Sequence, residues 1–367
     1  MKKLLYLSNS IIPSQYANSV HVMKMCQAFI NINFDVELLC YTIEKNFSHA
    51  EVFDRYGIKS KFKIFPLYFE KIRGRFFQNF FKIFKFIYFY DRNSLIYGRD
   101  VYSVFLASLL GYGVMYESHG FPNSKIYSFV ENKLLNRKNL IKLVVISKKL
   151  KEIYLDKNPS IGDENILVLH DGADKVPENQ KSIDFGGGFH VGYIGSLFYK
   201  GRGIDVILGV AKLNPDFTFH LVGGKDEEIR YWKSKATKNV NFYGFLSHNE
   251  AVKYLIGFDV VLMPYQNDLQ LSDNGVNTSS WMSPMKMFEY MAAKKSIVSS
   301  NLPAIREVLN SGNSMLVEPD KIVAWSGAIN KLHKNKALRD VLSQKGYDDH
   351  SKYFTWNERA NQIQKIF

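Results

Sequence analysis

Residues 283–309 read SPMKMFEYMAAKKSIVSSNLPAIREVL, and the pattern of this stretch decides the architecture. Ser283 is a good N-cap, and Pro284 suits the first helical position, where a missing N–H is no loss. Pro284, Met287, Phe288 and Met291 recur at i, i+3, i+4 and i+7, so one face of the predicted helix is buried. Glu289 lies off that face. Lys294 and Lys295 favour the helix C-terminus, and Ile297–Ser299 predicts a short buried strand. Pro303 then opens a second helix carrying Arg306 and Glu307.

Upstream the same alternation continues. Val260–Met263 predicts a strand that delivers Pro264 and Tyr265 to its C-terminal end, and Ser247-x-x-Glu250 forms a capping box for the helix before it. Asn241–Tyr243 is a strand followed by Gly244, and Thr218–Val222 ends in Gly223-Gly224, which lets backbone approach a ligand closely. Phe189–Ile194 runs into GSLFYKGRGID, residues 195–205. This Gly-rich turn joins a strand to a helix and carries Lys200 and Arg202, as a phosphate cradle should. An ordinary solvated basic turn is the alternative. Residues 175–188 are polar and Gly-rich, a predicted interdomain linker.

The first half repeats the scheme. Lys3–Leu7 predicts a buried strand, 8–18 a polar loop, and Ser19 caps a helix with Val22, Met25, Cys26 and Phe29 on its apolar face. Strands follow at Asp35–Leu39, Leu95–Tyr97, Val114–Glu117 and Leu143–Ile146. Ile166–Leu169 leads into HDGAD. Two doubly wound α/β domains result, in which ligands gather beyond the strand C-termini. His119, in YESHGFP, falls just past such an end.

Residues 60–90 depart from this composition. Phe62, Phe65, Phe69, Phe76, Phe77, Phe80, Phe81, Phe84, Phe86 and Phe89 are interleaved with seven Lys or Arg residues, and Glu70 is the one acid before Tyr90. A basic aromatic helix of this kind docks on a membrane surface, or it is a core helix with a solvated basic stripe.

Bulk composition sets the outer limits. A chain of 367 residues with 46% hydrophobic and 15% aromatic content can bury two cores. Net charge of +13 implies an anionic partner: nucleic acid, phospholipid or a phosphorylated substrate. The basic residues cluster with Phe, and no nucleic-acid module is present, which argues against nucleic acid. The only cysteines, Cys26 and Cys40, sit in apolar runs as buried thiols and allow neither a disulfide framework nor a zinc site. MKKLLYLSNS lacks a cleavage pattern and reads as a first strand, and no stretch is long and charge-free enough to span a bilayer. The expected location is cytoplasmic, peripheral on the inner face of the cell membrane if residues 60–90 dock there.

The string SPMKMFEYMA…P…REVL resembles the retaining glycosyltransferases of family 4, in the version common among bacterial surface-polysaccharide enzymes. The resemblance covers nearly the whole chain and is strongest from Gly195 to Leu309. It implies a GT-B fold, with two Rossmann-like domains facing across a cleft. The expected divisions are an acceptor-side domain at 1–174, a linker at 175–188, a nucleotide-sugar domain at 189–345, and a C-terminal helix at 346–367 crossing back. It implies that Glu289 takes the ribose hydroxyls of a UDP- or GDP-sugar; a carboxylate only accepts, and two oxygens can serve a cis-diol. A Glu solvated beside Lys286 is the alternative.

Of the two cations in the turn, Arg202 keeps the family's spacing to the helix, while Lys200 fits as well, and either would hold the diphosphate with Lys286. Gly195, Ser196, Gly223, Gly224, Tyr265, Ser283 and Met285 complete the implied donor site. His119 is carried over as a residue beside the transferred sugar, Arg99 as a cleft residue, and Ala17, Asn18 and Ser19 as the acceptor-side loop. Trp281 stands where many relatives have the first Glu of Glu-x7-Glu. No D-x-D string is present, so neither an obligatory metal nor another cofactor is expected. The implied reaction is transfer of a sugar to a glycan or lipid-linked glycan acceptor. A non-catalytic GT-B partner subunit and a GT-B sugar-nucleotide epimerase are the other readings.

Overall fold

The computed structural model describes residues 2–69, 75–121, 124–198, 200–270 and 275–366, except the side chains of 75–78. The chain forms two compact units, Met1–His170 with Trp356–Phe367, and Asp171–Thr355. In the first, strands β1 (Lys2–Ile11), β2 (Phe34–Thr42), β3 (Lys63–Tyr68), β4 (Leu95–Gly98), β5 (Val114–Ser118), β6 (Leu140–Val145) and β7 (Ile166–Val168) form one sheet. Their order is β3-β2-β1-β4-β5-β6-β7, and every neighbouring pair is parallel. The order reverses between β1 and β4, the switch point at which such sheets bind ligands.

The second unit holds β8 (Phe189–Ile194), β9 (Phe217–Val222), β10 (Val240–Phe242), β11 (Val260–Met263), β12 (Ser296–Ser300) and β13 (Met315–Val317). They pair in parallel in the order β10-β9-β8-β11-β12-β13. The central strands β8, β11 and β12 are buried on both faces, as a parallel sheet covered by helices requires, while the edge strands β10 and β13 are only partly buried. Val260 and Leu262 pack on one side with helices Ile204–Leu213 and Ile322–Lys334. Val261 and Met263 pack on the other with helix Met285–Ala292.

Several boundaries differ from the sequence reading. β1 continues through Ser8, Asn9 and Ser10 to Ile11, with a register shift after Leu7, because β2 keeps offering partners as far as Tyr41. The next helix, Ala17–Asn31, starts two residues before Ser19. Ser19 does not cap it: the hydroxyl donates to the Tyr16 carbonyl at 2.8 Å and accepts from Tyr56 at 2.9 Å. Helix Met285–Ala292 likewise starts one residue late, with Pro284 in an extended conformation as its N-cap. Ser283 caps nothing, since its Oγ accepts the Asp171 N–H at 2.8 Å.

Residues 60–90 are not one helix. Lys63–Tyr68 pairs with β2 as an edge strand, where Pro66 is tolerated, and Arg75–Tyr88 is the helix. Glu70, Lys71 and Arg73 lie outside the described residues, as do the side chains of Phe76 and Phe77. The helix buries Asn79, Ile83 and Ile87. Phe80 and Phe84, spaced one turn apart as a core face would be, are exposed together with Phe81, Lys82, Lys85 and Phe89.

Residues 175–188 do not stand apart as a linker. The Ile183 N–H donates to Lys253 O, and the Phe185 ring stacks on Phe258 at 5.4 Å within the second unit. Position 346 falls inside helix Lys336–Tyr353, which also belongs to that unit. The segment joining the first unit is the shorter helix Trp356–Gln364, with Trp356, Arg359, Ala360 and Ile363 buried. Among the described residues no helix is long and apolar enough to cross a membrane. Cys26 and Cys40 are buried free thiols, and burial raises the Cys40 thiol to about 12.

Candidate functional site

Within the second unit, charged groups collect at the C-terminal ends of β8 and β11 and the start of helix Met285–Ala292. Lys286, in the first turn of that helix, lays its ammonium 3.9 Å from the centroid of the Tyr193 ring and 5.1 Å from that of Tyr265. Gly195 leaves room for it, because a Cβ there would stand 2.5 Å from Nζ. Lys286 as a whole is half-buried, and loss of solvent around its ammonium holds the pKa well below the usual lysine range. Arg202 pushes it the same way, and Glu289 opposes them. The Arg202 guanidinium lies 5.8 Å from the Tyr265 centroid, and its Nε is buried without a hydrogen-bond partner. Two cations on one aromatic platform, one with an orphaned donor, form an arrangement that an anion would complete.

Glu289 lies a turn further along the helix, about a quarter exposed, with His248 Nδ1 4.0 Å from its Oε1. Lys200 is half-buried two residues before Arg202. Ser196 is exposed; its carbonyl accepts from the Tyr193 hydroxyl at 2.8 Å. Gly223 and Gly224 have positive φ, but a Cβ on Gly223 would strike the Gly195 carbonyl at 2.2 Å. The close approach at that glycine is therefore to backbone of this chain. Tyr265 is buried, Met285 opens the helix, and Ser283 is occupied by Asp171. Tyr193 and Tyr290 were not singled out from the sequence. The Tyr290 hydroxyl receives the Ile194 N–H at 2.9 Å and so ties this helix to the end of β8. The aromatic of FEYMA was the signal available.

The first unit carries a second cluster. Glu117, fully buried in β5, holds the Arg359 guanidinium with 3.1 Å from Nη2 to Oε1 and 3.3 Å from Nη1 to Oε2. His119 Nε2 lies 2.5 Å and His21 Nε2 2.9 Å from Oε1, and the Tyr97 hydroxyl donates to Oε2. Burial pushes the Glu117 pKa up, but Arg359, His21 and His119 outweigh it and hold the carboxyl well below its usual range. His21, Glu117 and His119 bring three possible ligand atoms within 4.8 Å of one another. Arg359 already engages both oxygens of the same carboxylate, so the arrangement is an ion-pair network and not a cation cage.

His119 therefore has two neighbours in its cluster that sequence spacing could not reveal, His21, 98 residues upstream, and Arg359 far downstream, which meet at Glu117. Of the remaining residues, Ala17 and Asn18 are exposed at the start of their helix, and Ser19 is buried. Arg99 follows β4, its Nη1 buried without a hydrogen-bond partner.

The fold and the comparisons agree on a class. The architecture is GT-B. Residues 188–335 match the family model described as glycosyl transferases group 1. Over 187 residues the chain is 24% identical to the Bacillus subtilis (strain 168) protein named as a teichuronic acid biosynthesis glycosyltransferase, TuaH, covering 48% of this chain and 45% of that one. The chain thus aligns with about half the length of that relative. Among solved structures, Anabaena HepE in complex with UDP and glucose has a TM-score of 0.73 at 16% identity, over 100% of this chain and 99% of that one. A sucrose-phosphate synthase from Thermosynechococcus elongatus has a TM-score of 0.69 at 15% identity, over 100% and 98%. At these identities the structures speak for the fold alone.

Proposed function

We propose that this chain is a retaining glycosyltransferase that moves a sugar from a nucleotide-diphosphate sugar to an acceptor hydroxyl. The observation that carries the reading is the Arg202–Lys286 pair beside Glu289, in the segment matching the glycosyl transferases group 1 model. The two cations neutralise the charge that develops on the leaving diphosphate, the office a metal ion would otherwise perform. Glu289 accepts from the ribose hydroxyls. The bond from the anomeric carbon to phosphate oxygen breaks, and the acceptor oxygen bonds to that carbon on the same face. The leaving phosphate oxygen takes the acceptor proton, so no nucleophile of the protein is required. The binding of UDP and glucose by HepE, a structure of similar fold, makes UDP-sugars the first donors to try.

The acceptor we propose is a lipid-linked or surface-polysaccharide precursor at the inner face of the cell membrane. On helix Arg75–Tyr88 and just past it, Phe81 and Phe89 are 66% and 74% exposed among Lys82 and Lys85, a surface suited to anionic lipid. Behind it, at the C-terminal ends of β1 and β2, a cavity of about 280 Å³ is lined by Ile11, Tyr41, Phe69, Phe80, Ile83 and Leu106 among others. Asn9, Asp100 and Ser103 add polar groups to walls that are otherwise mainly apolar, which suits an amphiphilic acceptor.

Incubation of the purified protein with a panel of UDP- and GDP-sugars tests the donor half. One donor should raise the melting temperature and be consumed when acceptor is present. Arg202→Ala should weaken nucleoside diphosphate binding by about 1.5–3 kcal/mol, as for a charge-assisted hydrogen bond, and Lys200→Ala by clearly less. Failure of every nucleoside diphosphate to bind would remove the reading.

A further inference from the structure

Arg99 stands at the switch point of the first sheet, and the fold holds it there. Its N–H donates to the Leu7 carbonyl at 2.9 Å. The preceding Gly98 lets β4 approach β1 so closely that a Cβ would lie 2.6 Å from the same carbonyl oxygen. The Arg99 side chain is half-buried, and its Nη1 is buried without a hydrogen-bond partner. Among the described residues no carboxylate pairs with it. Asp100, the next residue, spends its carboxylate on the Ser103 hydroxyl. The neighbouring strand adds a second orphan: Tyr6 of β1 is fully buried, and its hydroxyl has no partner. Burial pushes the Tyr6 and Tyr127 hydroxyls above the usual tyrosine range, and Arg99 lies near enough to oppose it in both. A phenol that keeps its proton gives a guanidinium no counter-charge. A guanidinium is always charged, so a half-buried one with an orphaned donor marks a place that an oxyanion completes.

We propose that Arg99 binds an anionic oxygen group of the acceptor, a phosphate or a carboxylate. The inference rests on the reading of the chain as a glycosyltransferase, and it adds the class of acceptor: a precursor that carries negative charge within reach of Arg99. The donor's diphosphate has its own cations, Arg202 and Lys286, in the second unit, whereas Arg99 belongs to the first. Asp100 and Tyr102, which follow Arg99 in the chain, line the mainly apolar cavity at the ends of β1 and β2. An amphiphile with an acidic group matches both features. A guanidinium suits that group better than an ammonium, because its planar fork offers parallel N–H donors to two oxygens at once.

The test is nitrogen NMR of arginine-labelled full-length protein, with the Arg99 signal assigned by its loss in Arg99→Lys. UDP is kept at saturation to fill the donor site, and inorganic phosphate and acetate are titrated in turn at constant ionic strength. UDP alone should leave the Arg99 signal in place. At least one of the two ions should then move it saturably, and the tighter one names the group. Arg99→Gln should bind that ion about ten- to hundredfold more weakly, read from the rise in melting temperature that the ion gives wild type. Arg99→Lys, which keeps the charge without the fork, should retain part of the affinity, and it serves if the Gln variant does not fold. No saturable shift from either ion would overturn the proposal. So would an Arg99 signal already moved by UDP, or equal stabilisation of wild type and Arg99→Gln by the ion. If an ion engages Arg99 while no nucleoside diphosphate binds, the anion site stands and the glycosyltransferase reading falls. If UDP binds and neither ion reaches Arg99, this inference falls alone.

Discussion

Lys286 offers the sharpest test of the donor site, because its charge state should change when a nucleotide binds. In the free protein its ammonium lies against Tyr193, with burial and then Arg202 holding its pKa well below the lysine range. A nucleoside diphosphate placed on Arg202 and Lys286 brings opposite charge to within hydrogen-bond reach and so raises that pKa. Between the free and bound values the complex holds a proton that the free protein lacks, and binding takes up as much as about one proton. Below the lower value both states are protonated, and above the upper value neither is. Affinity must therefore fall as pH rises through the window, by at most about 1.4 kcal/mol, a factor of ten, per pH unit. Calorimetry with UDP in buffers of different ionisation enthalpy reads the proton directly. At about pH 8 and above the terminal phosphate is already deprotonated and does not contribute, so the pH series runs upward from there through the ordinary lysine range. Where the series crosses the window, the observed enthalpy should follow the buffer's ionisation enthalpy in wild type and lose that dependence in Lys286→Met. Equal buffer dependence in the two proteins would refute the reasoning, as would none in wild type across the whole series.

Three further outcomes are expected. Glu289→Gln should weaken nucleotide-sugar binding by about 1.5–3 kcal/mol per bond lost, with folding intact, whereas a merely solvated helix Glu would change it by about 0.5 kcal/mol or less; a 2′-deoxy donor should cost wild type more than the variant, and an identical cost in both would move Glu289 off the ribose. Sedimentation with anionic vesicles should weaken with salt and drop when Lys82 and Lys85 become Gln and Phe81 and Phe89 become Ser; unchanged sedimentation would dismiss the membrane surface. Burial lowers His220, helped by neighbouring His190, and lowers His350, each to about 4. The unfolded chain then binds more protons than the native one between about pH 4 and 6.5, so stability present above that window is lost as pH falls through it. His350→Gln should flatten the acid slope of the melting temperature, and an unaltered slope would show that His350 contributes nothing.

Much of the architecture could be read from local pattern. Buried runs such as Val260–Met263 and periodic apolar faces such as Met287, Phe288 and Met291 state their elements directly, because a strand or helix buries side chains at its own fixed spacing. Arg202, Lys286 and Glu289 were named through the resemblance of their strings to a known family, because local pattern alone left a solvated basic turn and a solvated Glu as readings. Residues joined only by the sheet order were not legible. Glu117 showed in the sequence as one more residue of a buried strand, and Arg359 as a charge in the expected C-terminal helix. They become partners because the last helix packs within the first unit and brings its guanidinium onto the end of β5.

The aromatic segment at 60–90 shows the opposite limit. Composition announced an unusual surface, but Phe80, Phe84 and Ile83 are equally apolar, and which of them turned inward depended on the neighbouring elements. The glycine at 223 makes the same point at the scale of one atom. Its sequence signalled a close approach, and only the placement of β8 beside β9 made the Gly195 carbonyl the group that approaches. Local spacing determines which elements form and which faces they can offer. Contacts between residues far apart in the chain are decided when the sheet assembles, since burial rewards any apolar partner but a buried charge tolerates only one that answers it.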